Sequence, residues 1–115
     1  MDNWIIYHNP QCSKSREVLS LLKDHNVEPE IVEYLKRNPT EAELRDIIEK
    51  LKGPLANIVR TKEEDYKKLN FDTNSVEEVV KYLLKHPHLM ERPIVIKNDE
   101  AVIGRPTEAI KKLLS

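Results

Sequence analysis

Short apolar runs and an amphipathic stretch alternate in the first third of the chain, and this alternation predicts a mixed α/β domain. Residues 4–8 are mostly β-branched or aromatic and stop at Asn9-Pro10, a pattern typical of a buried strand that runs into a turn. Residues Ser13 to Asp24 carry apolar side chains at helical spacing. Residues 29–35 resemble a second strand. Strand, helix and strand in this order predict a parallel pair joined by a right-handed crossover.

The middle of the chain has helical patterns. Thr40 and Glu43 have capping-box spacing ahead of an apolar helical pattern that Gly53-Pro54 ends. Residues 54–70 predict short helices, and Ser75 is the expected N-cap of a further helix.

The last quarter predicts an antiparallel hairpin of residues 92–97 and 101–105, joined by residues 98–100, followed by a closing helix from Thr107 to Leu114. The order β-α-β, helices, β-β-α is that of a thioredoxin-like fold with a helical insertion between its halves, at approximately residues 39–88. We expect residues 1–115 to form one domain, because this length suits a single hydrophobic core.

Charge and composition narrow the possible classes of protein. Nineteen basic and twenty acidic residues give a net charge of −1, so the chain lacks a basic field for nucleic acid or an anionic membrane. The first six residues do not resemble a signal peptide, and no apolar run approaches the thickness of a bilayer. We therefore expect neither nucleic acid nor a membrane as a partner. We also expect a cytoplasmic protein, in keeping with its single cysteine, and a monomer, although the sequence does not determine the oligomeric state.

The single cysteine, Cys12, is the main candidate for chemistry. One cysteine excludes an intramolecular disulfide and the usual structural zinc sites, so we expect no metal and a reducing compartment. Cys12 stands where a strand-turn enters a helix, and the unpaired amides of a helix N-terminus favour a thiolate. With cations such as Lys14 and Arg16 nearby, a thiol pKa falls from about 8.5 to roughly 3.5–7.5. The alternative is a buried, inert cysteine, which the polar neighbours of Cys12 disfavour.

Ser15 completes a C-x-x-S spacing with Cys12. Its hydroxyl would lie one helical turn from the sulfur and could donate a hydrogen bond to a thiolate or a bound oxyanion. A first-turn serine can equally satisfy backbone groups of the helix.

The loop from His8 to Arg16, with an H-x3-C-x3-R pattern, resembles the active-site loop of ArsC-type, glutaredoxin-linked arsenate reductases. Further matches follow in family order: Pro29 to Leu35, the run ending at Arg60, His86-Pro87, Met90 to Val95 and Ile103 to Pro106. The resemblance therefore covers nearly the whole chain and implies a thioredoxin-like fold.

The resemblance implies that Cys12 is the nucleophile and that Arg60, Arg92 and Arg105 converge on the oxyanion attached to its sulfur. Guanidinium groups suit this task because each can donate two parallel hydrogen bonds to an oxyanion. The resemblance also implies a cis peptide bond before Pro93, against the cysteine. His8 would support the thiolate or fix the loop.

The activity implied is reduction of arsenate, or of a similar small oxyanion, through a thiolate–arsenate adduct at Cys12 that glutathione thiolyses. Glutaredoxin would clear the resulting mixed disulfide, because a second cysteine is lacking. Glutathione is then a cosubstrate, and no bound cofactor is expected. Two alternatives stay open: a thiol-disulfide or deglutathionylating enzyme, and a non-enzymatic redox adaptor of RNA polymerase resembling the Spx regulators. The adaptors typically carry C-x-x-C, where this chain has Ser15.

Overall fold

Four short strands form one mixed sheet in the order β2-β1-β3-β4. The computed structural model describes residues 2–114; Met1 and Ser115, the two ends of the predicted domain, lie outside the described residues. β1 pairs in parallel with β2, β1 pairs antiparallel with β3, and β3 pairs antiparallel with β4. The strands are β1 Trp4–Tyr7, β2 Glu30–Val32, β3 Ile94–Lys97 and β4 Glu100–Ile103. The predicted order of β-α-β, helices and β-β-α is confirmed.

Helices cover both faces of this sheet. They are α1 Ser13–Asp24, α2 Glu41–Lys50, α3 Glu64–Leu69, α4 Val76–Lys85 and α5 Lys111–Leu114, with 3-10 turns at Leu55–Ile58, Pro87–Leu89 and Thr107–Ile110. None of the helices in residues 2–114 is long and apolar enough to cross a membrane.

Side-chain caps fix the starts of α2 and α4. The Thr40 hydroxyl accepts a hydrogen bond from the Glu43 amide at 3.1 Å, and the Glu43 carboxylate accepts one from the Thr40 amide at 2.9 Å. The Ser75 hydroxyl accepts from the Glu78 amide at 3.2 Å. Each cap satisfies donors that the first helical turn leaves unpaired.

The alternation of side chains along the strands creates two cores, one on each side of the sheet. Ile6 and Val95 face α1 and α5, where they pack with Val18, Leu22 and Ile110. Tyr7, Ile94 and Ile96 face the other way and join the larger core under α2 and α4. The sheet is therefore the middle layer of three.

β2 is shorter than the predicted run of residues 29–35. Its pairing stops at Val32, which lies opposite Tyr7, the last residue of β1. Beyond this point the chain turns, with the Lys36 amide donating to the Glu33 carbonyl at 2.9 Å. The partner strand, rather than the apolar pattern of the run itself, sets the length of β2.

The hairpin places Arg92 and Arg105 side by side. The Gly104 amide donates to the Pro93 carbonyl at 2.8 Å, and this bond closes the open end of the hairpin. The Arg92–Pro93 bond is cis, and so is the Arg105–Pro106 bond.

Gly104 lies where the hairpin packs most tightly on α1. A Cβ atom there would lie 2.9 Å from both Pro93 Cγ and Val18 Cγ2. We expect Gly104→Ala to lower the free energy of unfolding by about 1–3 kcal/mol in urea denaturation, because real Cβ atoms do not approach so closely. In a Val18→Ala background the loss should shrink by roughly 0.5 kcal/mol or more. Strict additivity of the two substitutions would contradict this account.

Candidate active site

Cys12 is the N-cap residue of α1 and ends the loop that leaves β1. Its backbone is extended, with φ −98° and ψ 122°, and its carbonyl accepts the amide of Arg16 at 3.0 Å. The Cys12 amide donates to the Asn9 carbonyl at 3.0 Å, which tightens the loop. These bonds place the sulfur over the amides that open the helix. The residue as a whole is nearly buried, with 8% of its surface exposed.

Two guanidinium groups from the hairpin face the sulfur. Arg105 Nη2 donates to Cys12 Sγ at 3.3 Å, and Arg105 Nε donates to the Arg92 carbonyl at 2.7 Å. The guanidinium of Arg92 also acts on the sulfur and lowers the pKa of Cys12. Its Nε is the one side-chain N or O atom in residues 2–114 that is fully buried and without a hydrogen-bond partner.

Opposing effects act on the Cys12 thiol, and those that favour the thiolate prevail. Burial is the largest single effect and raises the pKa of Cys12, but the Ser15 amide, the Arg92 guanidinium and the Lys14 amide together lower that pKa below its usual value. Helix amides and a guanidinium are the groups expected to stabilise an anionic sulfur. The site therefore favours the thiolate form of Cys12 more than the surroundings of an ordinary thiol do.

Arg60 shares a cavity with Arg92 and Arg105, and Cys12 is not among the residues that line this cavity. Arg60, Arg92 and Arg105 line a cavity of about 440 Å³ together with Glu63 and Glu91. Arg60 Nη1 donates to the His88 carbonyl at 3.1 Å, and Arg60 Nη2 lies 3.2 Å from a Glu63 carboxylate oxygen. The structure thus brings all three predicted arginines to one cavity, with Arg92 and Arg105 next to the sulfur.

Ser15 supports the loop rather than the sulfur, contrary to the expected hydroxyl contact. Its hydroxyl accepts from the Asn9 amide at 3.0 Å and lies 2.6 Å from His8 Nδ1. The Ser15 side chain lies away from the sulfur because it shares the buried side of α1 with Val18 and Leu22. The Ser15 backbone amide, not its hydroxyl, stabilises the thiolate.

His8 is a buried partner of Ser15, 6% exposed, at the end of β1. Burial lowers the pKa of His8, the positive charges of Arg16 and Lys23 lower it further, and Glu33 opposes them. A neutral imidazole has one ring nitrogen that accepts a hydrogen bond, so Nδ1 can accept one from the Ser15 hydroxyl. This pair fixes the loop beneath Cys12.

Arg16 does not contact the sulfur either, although the sequence suggested it as a support for the thiolate. It stands on the exposed side of α1, and its Nη1 donates to the Pro10 carbonyl at 2.8 Å. Arg16 therefore ties the first turn of α1 back to the loop.

Glu91 is a component of the site that sequence reasoning missed. Its Oε1 lies 3.3 Å from Arg105 Nε and 3.8 Å from Arg92 Nη1. A carboxylate in an anion site competes with the anion for the same donors. The sequence signal that could have found Glu91 is its position next to Arg92 within the Met90 to Val95 motif.

The fold and the site together define a thioredoxin-like protein whose single cysteine lies beside the guanidiniums of Arg92 and Arg105. Residues 7–113 match the ArsC family. The uncharacterized protein YfgD of Escherichia coli (strain K12) is 46% identical, over 95% of this chain and 94% of that protein. An arsenate reductase of Haemophilus influenzae is 45% identical, over 96% of this chain and 97% of that one. The solved structure of an arsenate reductase from Vibrio cholerae superimposes with a TM-score of 0.87 at 39% identity and covers 96% of each chain. The chain belongs to the ArsC family.

The thiol chemistry predicts a pH profile for alkylation of Cys12 by iodoacetamide. We expect the rate to reach half its plateau below the value of about 8.5 that is usual for a thiol. Arg92→Gln should move the midpoint upward, because it removes a positive charge that lowers the pKa of Cys12. Arg45→Gln, on the outer surface of α2, is the matched control and should leave it in place. A wild-type midpoint at the usual thiol value of about 8.5 would refute the interpretation that the site lowers the pKa of Cys12.

The contacts of Glu91 predict that it weakens oxyanion binding. We expect Glu91→Gln to lower, roughly fivefold, the concentration of sulfate or arsenate that halves the rate of Cys12 alkylation. This corresponds to a gain in binding free energy on the order of 1 kcal/mol. Each variant is compared with its own rate without oxyanion. Glu77→Gln, which removes a remote carboxylate from α4, serves as control. Weaker protection in Glu91→Gln would show instead that the carboxylate holds Arg105 in place.

Proposed function

We propose that the protein is an arsenate reductase in which the Cys12 thiolate attacks arsenate. The observation that carries this proposal is the pairing of a stabilised thiolate with the buried, unpartnered Nε of Arg92. A buried donor without a partner is costly unless a ligand satisfies it. A tetrahedral oxyanion at the sulfur would accept from this donor.

The first step joins the cysteine and the oxyanion. The thiolate and the singly charged dihydrogen arsenate anion give water and an adduct in which Cys12 carries a doubly charged arsenate group on its sulfur. A sulfur–arsenic bond forms, an arsenic–oxygen bond breaks, and arsenic stays in the pentavalent state. Arg92 and Arg105 stabilise the added negative charge, which is the role of donors placed in advance around a reacting centre.

The second step transfers electrons to arsenic. Reaction with the glutathione thiolate and three protons breaks the sulfur–arsenic bond, whose electron pair reduces pentavalent arsenic to the trivalent state and releases arsenious acid. The Cys12 and glutathione sulfurs are oxidised and join in a disulfide. Because the chain has a single cysteine, an external dithiol such as glutaredoxin must reduce this disulfide.

The comparisons support the oxyanion substrate, since an arsenate reductase at 45% identity and a solved one at 39% identity each align with most of this chain. One chain supplies every group named above, so we propose the monomer as the working unit. We place the enzyme in the cytoplasm, where a glutathione pool keeps thiols reduced.

The test is NADPH oxidation coupled through glutathione reductase, glutathione and glutaredoxin, with and without arsenate. We expect arsenate-dependent turnover that falls at least about a thousandfold in Cys12→Ser, because the nucleophile is lost. Arg92→Gln should lower kcat/KM by about tenfold or more, the value of one hydrogen bond to a charged group. Arg45→Gln controls for loss of a surface guanidinium.

Other results would favour the alternatives. Turnover of glutathione mixed disulfides without any response to arsenate would assign a thiol-disulfide oxidoreductase that uses the same Cys12. A lack of both activities, together with stoichiometric recovery of RNA polymerase subunits, would assign a redox adaptor.

A further inference from the structure

A second cavity lies along β4, next to the cavity of about 440 Å³ that holds the three arginines. We name the first the edge cavity and the other the arginine cavity. The edge cavity has a volume of about 530 Å³, within the range of roughly 300–1,000 Å³ that is usual for small-molecule sites. Asn57, Glu91 and Arg105 line both cavities. Since Arg105 Nη2 also donates to Cys12 Sγ at 3.3 Å, the edge cavity extends to a residue that contacts the sulfur.

The backbone of β4, an edge strand of the sheet, is directed outward at Ile103. The Gly104 amide donates to the Pro93 carbonyl, so this pair is hydrogen-bonded across the hairpin. Bonded and non-bonded pairs alternate along antiparallel strands, and the N–H and C=O of Ile103 therefore point away from β3, towards the free edge. The Ala101 carbonyl points the same way, and it accepts from the Lys52 amide at 3.0 Å.

The segment that covers Ala101 leaves β4 before it reaches Ile103. Leu51 forms a parallel bridge with Ala101, so continued pairing would bring Gly53 opposite Ile103. Gly53 instead has a φ of 124°, and the chain turns away into the 3-10 turn Leu55–Ile58. Ile103 lines the edge cavity that this turn leaves beside the strand. Outward N–H and C=O groups on a strand edge are a template for an extended peptide.

The side chains of the edge cavity carry charges of both signs. The positive charges come from Lys52, Arg105 and Lys112, and the negative charges come from Glu91 and Glu100. A complementary ligand has amide groups for the strand edge, carboxylates for the cations and an ammonium group for the carboxylates. Glutathione has all three, since it is a tripeptide with a carboxylate at each end and an ammonium group. A simple oxyanion would match the cations alone.

We propose that the edge cavity binds glutathione, which pairs with the N–H and C=O of Ile103, places a carboxylate at Lys52 and directs its sulfur past Arg105 towards Cys12. The inference rests on the proposed function, in which glutathione reacts at the Cys12 sulfur. It gives Arg105 a position between the two reactants, because the same guanidinium lines the arginine cavity and the edge cavity.

S-methylglutathione tests the binding apart from the chemistry, because its blocked sulfur cannot form a disulfide. In an NMR titration of the wild type we expect the amide signals of Ile103 and Lys52 to shift, and hydrogen exchange at the Ile103 amide to slow. Lys52→Gln should raise the Kd about threefold, since it removes an attraction to a carboxylate, and Lys52→Glu about tenfold or more, since it adds a repulsion. Lys81→Gln and Lys81→Glu, on the exposed side of α4, are the matched controls and should leave the Kd unchanged. Urea unfolding verifies that the variants fold.

Kinetics separate the edge cavity from the arginine cavity. In Lys52→Gln the KM for glutathione should rise about threefold. The KM for arsenate and the protection of Cys12 by sulfate should stay unchanged, because Lys52 does not line the arginine cavity. Turnover with 2-mercaptoethanol, measured as released arsenite, should also be unchanged in Lys52→Gln, because this thiol has no carboxylate.

A wild type that does not bind S-methylglutathione, or a Kd that both Lys52 variants leave unchanged, would overturn the proposal. Signals that shift at the arginine cavity but not at Ile103 would overturn it as well. If arsenate reduction accompanies such a result, the edge cavity alone is refuted. Binding that Lys52→Gln weakens, in a wild type that does not reduce arsenate, would support the edge cavity and refute the reductase. A wild type that neither binds S-methylglutathione nor reduces arsenate would refute both.

Discussion

Keeping a sulfur ionised while it is nearly buried is the constraint on which this structure depends. Burial alone would keep the Cys12 thiol neutral, so the fold must supply compensating donors. The first turn of α1 provides backbone amides, and these need only local structure. The guanidiniums of Arg92 and Arg105 come from the other end of the chain, and placing them requires the whole sheet. The close packing of Gly104 on α1 follows from the same requirement, since it seats the hairpin against the helix that carries the cysteine.

The positive groups of the site are themselves restrained. The Arg92 carbonyl holds Arg105, and Glu63 holds Arg60. These contacts neutralise part of the charge and fix the directions of the remaining donors, which lowers the cost of organising them around an incoming anion. Arg92 Nε is left without a hydrogen-bond partner, and it marks where the anion would bind. The proposed oxyanion would thus meet a few directed donors rather than a general excess of positive charge, which agrees with the net charge of −1.

Sequence patterns predicted most of the fold because its elements are stabilised locally. α1, the capping box of α2 and the hairpin all depend on near neighbours, such as Asn98, whose φ of 54° suits the turn. The end of β2 could not be predicted, because it depends on where a strand distant in sequence stops. At the site, the motif indicated Cys12 and its arginines. It could not show that the Ser15 hydroxyl turns towards His8, since that depends on the buried face of the helix.

The two parts of the anion site stand at opposite ends of the polypeptide, with Cys12 and Arg105 separated by 93 positions. A ribosome completes the loop and α1 long before it makes the hairpin. Until the last strands pair, the sulfur has the amides of the helix end, led by that of Ser15, but lacks the guanidiniums of the hairpin. The full set of groups that act on the sulfur is therefore assembled only when the C-terminal part of the chain has folded.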